Sequence, residues 1–208
     1  MNSSKEIMES LKPAYFYHIY NHAVGDELLF RKEENYNYFL KLYGNYIPLI
    51  AKTYAYCLMP NHFHLMIGIL SDNEIRQHHQ QLLYKSEQKY TSTDYLISKS
   101  FSNLFNAYTK AYNKLYSRQG SLFRKRFKRK TIDHKKYGEQ LVAYIHYNPV
   151  QHGFVSSPNQ WPFSSWNAYT TDKTTGVSRD TVISWFGDKK SFFEYHRNFK
   201  PSPIIEFD

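Results

Sequence analysis

The chain has 208 residues and a mass of 24.9 kDa, a size typical of one domain or of one domain with an extension. Apolar residues make up 41% of it, enough for a core, which argues against a wholly disordered protein. The 27 Lys and Arg against 18 Asp and Glu give a net charge of +9, which favours an anionic partner. The single cysteine excludes an internal disulfide, and no stretch is apolar enough to cross a membrane. The first residues carry no secretory signal, so we expect a soluble cytoplasmic protein.

The first part of the chain predicts three strands and one helix. Residues 14–21 are rich in β-formers, and residues 31–46 place aromatic and apolar side chains at helical spacing. Residues 50–59 and 62–70 predict two further strands. The Pro60-Asn61 pair between them is typical of a turn, so these two strands should pair as an antiparallel hairpin.

The second part begins with a polar segment, 71–93, which we expect to be an exposed and partly helical insertion. Residues 94–117 return to helical spacing, and 129–132 predict a short last strand. Asp133 is expected to cap a helix that runs to about Tyr147 and ends near Pro149.

The order β-α-β-β-α-β followed by a helix predicts an α+β fold: a ferredoxin-like, split βαβ antiparallel sheet with helices on one face. The other face would then be available for a site or a partner. We expect three regions: a flexible N-terminus at 1–13, a main domain at 14–155 that contains the polar insertion, and a helical or irregular extension packed on the core at 156–208.

Most of the positive charge lies in one segment, residues 118–130, which carries seven Lys or Arg and no acid. The rest of the chain has a net charge of only +2. Phe123 and Phe127 interrupt the cations, which favours a nucleic-acid-binding segment over a merely solvated loop. The 18% aromatic share suits base stacking, and codon bias explains it equally well. The predicted DNA-binding residues are Arg118, Arg124, Lys125, Arg126, Lys128, Arg129 and Lys130.

Two local patterns carry candidate chemistry. His62 and His64 lie two residues apart on a predicted strand, so both side chains point to one face and could share a metal ion. Two surface histidines are the alternative. Tyr144 and Asn148 lie at i and i+4 of the predicted last helix and project together, with His146 pointing away. A core tyrosine and a capping asparagine are the alternative there.

Five ordered segments together resemble a known family, the single-tyrosine HUH transposases of insertion sequences and, above all, the REP-associated tyrosine transposases. The segments are YHIYNHAV (17–24), YCLMPNHFHLMI (56–67), GSLFRKRFK (120–128), YIHYNPVQHGFV (144–155) and WPFSSWNAY (161–169). The resemblance spans about residues 14–170. One departure is His22, where the family commonly has an arginine.

The resemblance implies a role for each matched residue. His62, His64 and Asn148 would be metal ligands for Mg²⁺ or Mn²⁺, and Tyr144 would be the nucleophile, with Tyr137 and Tyr147 as weaker candidates. The implied activity is cleavage and strand transfer of single-stranded or hairpin DNA through a covalent 5′-phosphotyrosine. Residues 14–155 would then be the catalytic domain. Both a homodimer and a monomer are compatible with the resemblance.

Two other functions fit part of the pattern. A non-catalytic single-stranded nucleic-acid-binding module on the same scaffold would use strand aromatics such as Tyr15 and Tyr17 for stacking, with no need for a metal. A metal-dependent phosphodiesterase with a water nucleophile would keep His62 and His64 but would not need Tyr144.

Overall fold

Four antiparallel strands form the centre of the protein, which is described here by a computed structural model that covers residues 10–83 and 92–200. The strands are β1 (Phe16–His22), β2 (Ala51–Leu58), β3 (His62–Ile69) and β4 (Lys128–Ile132), and their order across the sheet is β2-β3-β1-β4. This order, with every pair antiparallel, is that of a split βαβ sheet, so the predicted α+β fold is confirmed. Strands β3 and β1 occupy the two central positions.

One face of the sheet is covered by two helices, α1 (Glu33–Tyr46) and α3 (Thr93–Leu115). Both helices present apolar side chains three or four residues apart, and these pack on the alternate residues Phe63, Leu65 and Ile67 of β3. A further helix, α2 (Asp72–Leu83), occupies the first part of the predicted polar insertion. The remainder of that insertion and most of the predicted flexible N-terminus, residues 84–91 and 1–9, lie outside the described residues.

The opposite face is covered by helix α4 (Lys135–Gln151), which lies mainly over β2 and β3. A second apolar cluster joins α4 to the C-terminal elements, a 3₁₀ turn (Pro158–Gln160), α5 (Trp166–Thr170), α6 (Arg179–Phe186) and α7 (Lys189–Arg197). The expectation of helices on one face therefore holds for α1 and α3 but not for α4.

Both ends of α4 differ from the sequence prediction. The N-cap is His134, whose Nδ1 accepts the backbone N–H of Tyr137 at 3.0 Å, and not Asp133. Pro149 does not end the helix, which continues to Gln151. A proline removes one intrahelical hydrogen bond, and in the last turn few bonds remain to be lost. None of the helices in residues 10–83 and 92–200 is long and apolar enough to cross a membrane.

A chain of buried hydrogen bonds connects α4 to the C-terminal segment. His196 Nδ1 donates to the carbonyl of Phe192 at 2.8 Å, so in the neutral ring Nε2 is an acceptor for His146 Nδ1–H at 3.0 Å. His146 Nε2 then accepts from the Ser165 hydroxyl at 2.8 Å. Charging His196 requires a second proton at its buried Nε2, and the bonds of His146 and Ser165 would then have to reverse.

This requirement predicts acid sensitivity. Burial lowers the pKa of His196 from its usual 6.5 to about 4, and its bond to the Phe192 carbonyl offsets part of that shift. The unfolded chain therefore takes up a proton at a higher pH than the folded one. Stability should be fully present above about pH 6.5 and should fall by on the order of 3 kcal/mol towards about pH 4 through this residue. Urea unfolding across this range measures it. His196→Gln should flatten the dependence, and the control His79→Gln on α2 should not; equal slopes in all three proteins would contradict the assignment.

Candidate active site

Strand β3 supplies the first two candidate residues. Side chains alternate along a strand, so His62 and His64 both point to the face under α4, while Phe63 points into the core beneath α1 and α3. Both histidines are buried, with 3% and 0% exposure. Their rings lie close together, with centroids 5.1 Å apart and planes nearly perpendicular.

Helix α4 brings Tyr144 and Asn148 to these histidines. Asn148 is one helical turn beyond Tyr144, so both side chains leave the same helix face. The Oδ1 atom of Asn148 lies 3.0 Å from His62 Nε2, and its Nδ2 donates to the Tyr144 hydroxyl at 3.5 Å. The Tyr144 ring meets His64 edge to face, with centroids 5.5 Å apart. The two patterns that the sequence presents separately thus meet in one place.

Strand β1 lines the same place with residues that the sequence analysis did not select. His18, Tyr20 and His22 alternate onto the site face, and register places Tyr20 opposite His64 and His22 opposite His62. His18 Nε2 lies 3.0 Å from His64 Nδ1. The His22 ring stacks on His62 at 4.9 Å. The alternation of residues in YHIYNH could have indicated that His18, Tyr20 and His22 share one face of the strand. Only the register of β1 with β3 shows which residue of β3 each of them contacts.

His152, just after α4, is a further histidine that the sequence analysis did not select. Its ring centroid lies 5.0 Å from that of His62. Its place follows from the end of α4, which the sequence analysis put near Pro149.

The donor atoms suit a cation between them. Both ring nitrogens of His62 lie against amide oxygens, Asn61 Oδ1 at 2.8 Å and Asn148 Oδ1 at 3.0 Å. A neutral imidazole donates only one hydrogen bond, so a neutral His62 can donate to one of these oxygens and keeps a lone pair on its other nitrogen. Within the described residues, His64 Nε2 is buried with no hydrogen-bond partner. Burial, with smaller contributions from the neighbouring histidines, lowers the pKa of His64 well below its usual value, which keeps the ring in its neutral, ligating form.

A search of the described ranges for three or more clustered His, Cys, Asp or Glu side chains finds no metal-binding group. This result does not conflict with the donor set above, because its third member is the amide oxygen of Asn148. The pKa of His18 is also lowered, to about 3, by burial and by the nearby charge of Lys130.

The loop that precedes β4 carries exposed cations beside this site. Arg124, Lys125 and Arg126 are exposed. The backbone N–H of Arg124 donates to the His22 carbonyl at 2.9 Å, and Asn21 Nδ2 donates to the Arg124 carbonyl at 3.3 Å. These bonds attach the loop to the end of β1 where His22 faces His62.

Strand alternation divides the rest of the basic segment between two faces. Lys128 and Lys130 are exposed and lie opposite Tyr20 and His18, on the site face. Arg129 points to the other face, where its guanidinium lies 4.5 Å from the centre of the Phe127 ring. The intervening aromatics Phe123 and Phe127 pack in the core against Phe105.

Arg118 makes bonds within the chain. Its Nε pairs with Glu27 Oε1 at 2.8 Å, one terminal nitrogen donates to Asn113 Oδ1 at 3.0 Å, and the other donates to the Ser121 carbonyl at 2.7 Å. Of the seven cations predicted to bind DNA, Arg118 and Arg129 thus interact with other residues of the chain in a way that gives them a structural role. The other five are exposed.

The two weaker nucleophile candidates lie elsewhere. Tyr137 lies beneath Lys130, whose Nζ is 5.0 Å from its ring centre, and burial raises the pKa of its hydroxyl. The Tyr147 ring packs 5.6 Å from Phe199 of the C-terminal segment. Neither is hydrogen-bonded to Asn148 in the way that Tyr144 is.

The sheet order and the site together define an α+β protein of the ferredoxin-like class in which a His-x-His strand and a Tyr-x-x-x-Asn helix meet. No protein-family model matches the chain. A curated relative, a REP-associated tyrosine transposase of Haemophilus influenzae, is 25% identical over 118 residues. The match covers 56% of this chain and 59% of that relative, which is less than two thirds of the relative's length.

A solved structure of a REP-associated tyrosine transposase bound to a REP hairpin has the same fold. It superposes with a TM-score of 0.56 and 16% identity, over 80% of this chain and 86% of that one. The resemblance that the five motifs indicate is thereby confirmed. The chain is similar in sequence to one REP-associated tyrosine transposase and in fold to another.

The intramolecular bonds of Arg118 predict a difference within the basic segment. Arg118→Ala should reduce the free energy of unfolding by about 1–2 kcal/mol, because it removes the bonds to Asn113 and the Ser121 carbonyl and one of the two arginine partners of Glu27. Lys125→Ala, at an exposed position, should change it by less than about 0.5 kcal/mol. Urea unfolding of the two variants beside the parent measures both effects, and equal stabilities would show that the Arg118 bonds contribute nothing.

Proposed function

We propose that the protein is a metal-dependent, single-stranded DNA endonuclease and strand transferase of the transposase type, with Tyr144 as its nucleophile. The observation that carries the proposal is the convergence of His62, His64, Asn148 and Tyr144 from one strand and one helix. The relatives named above support it, since the family name describes a tyrosine transposase and the solved relative holds a DNA hairpin.

His62, His64 and Asn148 would hold a divalent cation such as Mg²⁺ or Mn²⁺ through His62 Nε2, His64 Nε2 and Asn148 Oδ1. When bound, the cation would act as a Lewis acid that neutralises charge on a non-bridging phosphate oxygen. Two nitrogens and one amide oxygen leave further coordination positions for a phosphate and water. The rigid central strand and the hydrogen-bonded Asn148 fix the geometry of this donor set in advance.

Tyr144 would carry out the transesterification. Its phenolic oxygen attacks the scissile phosphorus and loses its proton to solvent; the bond from phosphorus to the 3′ oxygen breaks, and that oxygen takes up a proton as a free 3′-OH. The product is a 5′-phosphotyrosyl bond. Because one phosphoester replaces another, a second 3′-OH can reverse the step and complete strand transfer without a nucleotide cofactor. Asn148 Nδ2, which donates to the Tyr144 hydroxyl, would orient this nucleophile.

The DNA would lie over strands β1 and β4, beside α4. Exposed Lys128 and Lys130 lie on the site face of β4, and Arg124, Lys125 and Arg126 lie at the end of β1 beside His22. These cations would contact phosphates, which supply most of the affinity for a single strand. Hairpin-forming single strands are the proposed substrate class.

Tyr144→Phe tests the nucleophile. Incubation with a labelled hairpin-forming single strand from the DNA that flanks the protein's own gene, with Mn²⁺, should give the parent protein a band that survives denaturation. Tyr144→Phe should give none, because the attacking oxygen is absent, while its binding of the strand in a native gel should change by less than about threefold. The matched controls Tyr137→Phe and Tyr147→Phe should retain the band.

The outcomes separate the three functions. An adduct with Tyr144→Phe would show that another residue is the nucleophile. Cleavage without any adduct, unaffected by Tyr144→Phe, would indicate a phosphodiesterase with a water nucleophile. Binding with neither cleavage nor adduct would indicate a non-catalytic nucleic-acid-binding module.

The exposed cations predict a salt dependence. Replacing Arg124, Lys125 and Arg126 with Ala should weaken binding of a single strand and reduce the slope of log K against log salt by about 2, or about 0.7 for each lost phosphate contact. Fluorescence anisotropy over a salt series measures this slope.

The control replaces three exposed lysines of α3, Lys99, Lys110 and Lys114, on the opposite side of the sheet. It removes the same charge, so it should leave the slope nearly unchanged if binding is local. Equal effects of the two triple variants would show that net charge alone governs binding.

A further inference from the structure

His18 makes one specific contact with the candidate site. It lies on central strand β1 and is fully buried, and its Nε2 is 3.0 Å from His64 Nδ1. The two rings are stacked, with centroids 5.2 Å apart and an interplanar angle of 21°. The His18 ring also stacks on Tyr20, the residue paired with His64, with centroids 4.8 Å apart, so two neighbours fix the plane of the His18 ring.

The contact engages one nitrogen of His64 and leaves the other for a cation. A neutral imidazole has one N–H and one lone pair, and a metal ion takes the lone pair. If Nδ1–H of His64 donates to His18, the lone pair is on Nε2, which is buried with no hydrogen-bond partner among the described residues. In the other tautomer, Nε2 carries the proton and Nδ1 accepts from His18, so His64 has no lone pair left for a metal ion.

His62 has a parallel arrangement. Its Nδ1 lies 2.8 Å from Asn61 Oδ1, and a bond donated there leaves Nε2 facing Asn148. Each of the two candidate ligands is therefore held through Nδ1 by a neighbouring side chain, Asn61 for one and His18 for the other. Such outer partners set the tautomer and the direction of a ligand and typically change metal affinity by 10- to 100-fold.

We propose that His18 is a positioning residue that accepts the Nδ1–H of His64 and so fixes His64 Nε2 as the metal-ligating atom. The inference rests on the proposed function, whose metal site it deepens. His18 itself would touch neither metal nor DNA and would act through His64. His18 is paired with Met66, so it is diagonal to His64 on the same face of the β1–β3 pair, within reach of an imidazole.

Two substitutions separate positioning from packing. His18→Phe keeps a ring of similar size but has no acceptor, and His18→Gln keeps an amide oxygen near the position of Nε2. Titration calorimetry with Mn²⁺ should show affinity reduced 10- to 100-fold in His18→Phe and by no more than about threefold in His18→Gln. His79→Gln, on α2 and away from the site, should match the parent.

A second measurement needs neither metal nor activity. Nitrogen-15 NMR of the metal-free protein reports which nitrogen of His64 is protonated. We expect Nδ1–H in the parent and in His18→Gln, and a mixture of tautomers in His18→Phe.

The tautomer measurement decides the inference even if His18→Phe does not fold. Protonation of His64 at Nε2 in the parent would overturn it outright, and so would an unchanged tautomer together with unchanged Mn²⁺ affinity in His18→Phe. A parent whose Mn²⁺ affinity is indifferent to His64→Ala would instead overturn the metal part of the proposed function, while the tautomer would still show whether His18 positions His64.

Discussion

Strand β3 lies between β1 and β2, and its alternation sends His62 and His64 to the face that α4 partly covers. The antiparallel register with β1 then places His22 opposite His62 and Tyr20 opposite His64. A shift of one residue in this register would send the histidines of β1 into the apolar core beneath α1 and α3. The His18 contact with His64 and the His22 contact with His62 both depend on this pairing, whereas the Asn148 contact with His62 depends on where α4 lies on β3.

The position of α4 is the second constraint, and residues far along the chain set it. His146 points away from Tyr144 and Asn148 and is hydrogen-bonded to His196 and Ser165. Val182 and Phe192 join the same apolar cluster as Leu141 and Ile145 of the helix. The C-terminal segment therefore packs against the side of the helix that faces away from the site, while the opposite side carries Tyr144 and Asn148. The residues after α4 are therefore needed to hold the helix in place, whether or not they contact DNA.

The features that could be predicted from sequence were those with a local period. The strand period brings His62 and His64 to one face, and the helix period does the same for Tyr144 and Asn148; the sheet order followed from the order of elements. The details that differ are the cap, which is His134 and not Asp133, and the last two residues of α4 beyond Pro149; both concern helix ends, where a single hydrogen bond such as that of His134 decides the boundary. His18 was missed because its partner is 46 residues away.

The basic segment illustrates the same limit. Its net charge could be read from the sequence. Which of its cations face the site and which bond within the chain depends on strand alternation and on partners far away in the sequence. Arg129 lies over Phe127 on the core side, and Arg118 is bonded to Glu27, which is 91 residues away. A structural arginine differs from an arginine available for a phosphate only in its interaction partners. The sequence of a basic segment does not show those partners.

The candidate site is also a place where burial is unfavourable for folding. Leaving a polar group such as His64 Nε2 buried without a partner costs about 1–3 kcal/mol. The surrounding apolar clusters and the central position of β3 offset this cost. A cation bound at this nitrogen would remove the penalty in the folded state alone, so under the proposed function metal binding and fold stability are linked. The buried donor atoms that destabilise the metal-free protein would therefore favour a cation, which can accept lone pairs from His62, His64 and Asn148 at once.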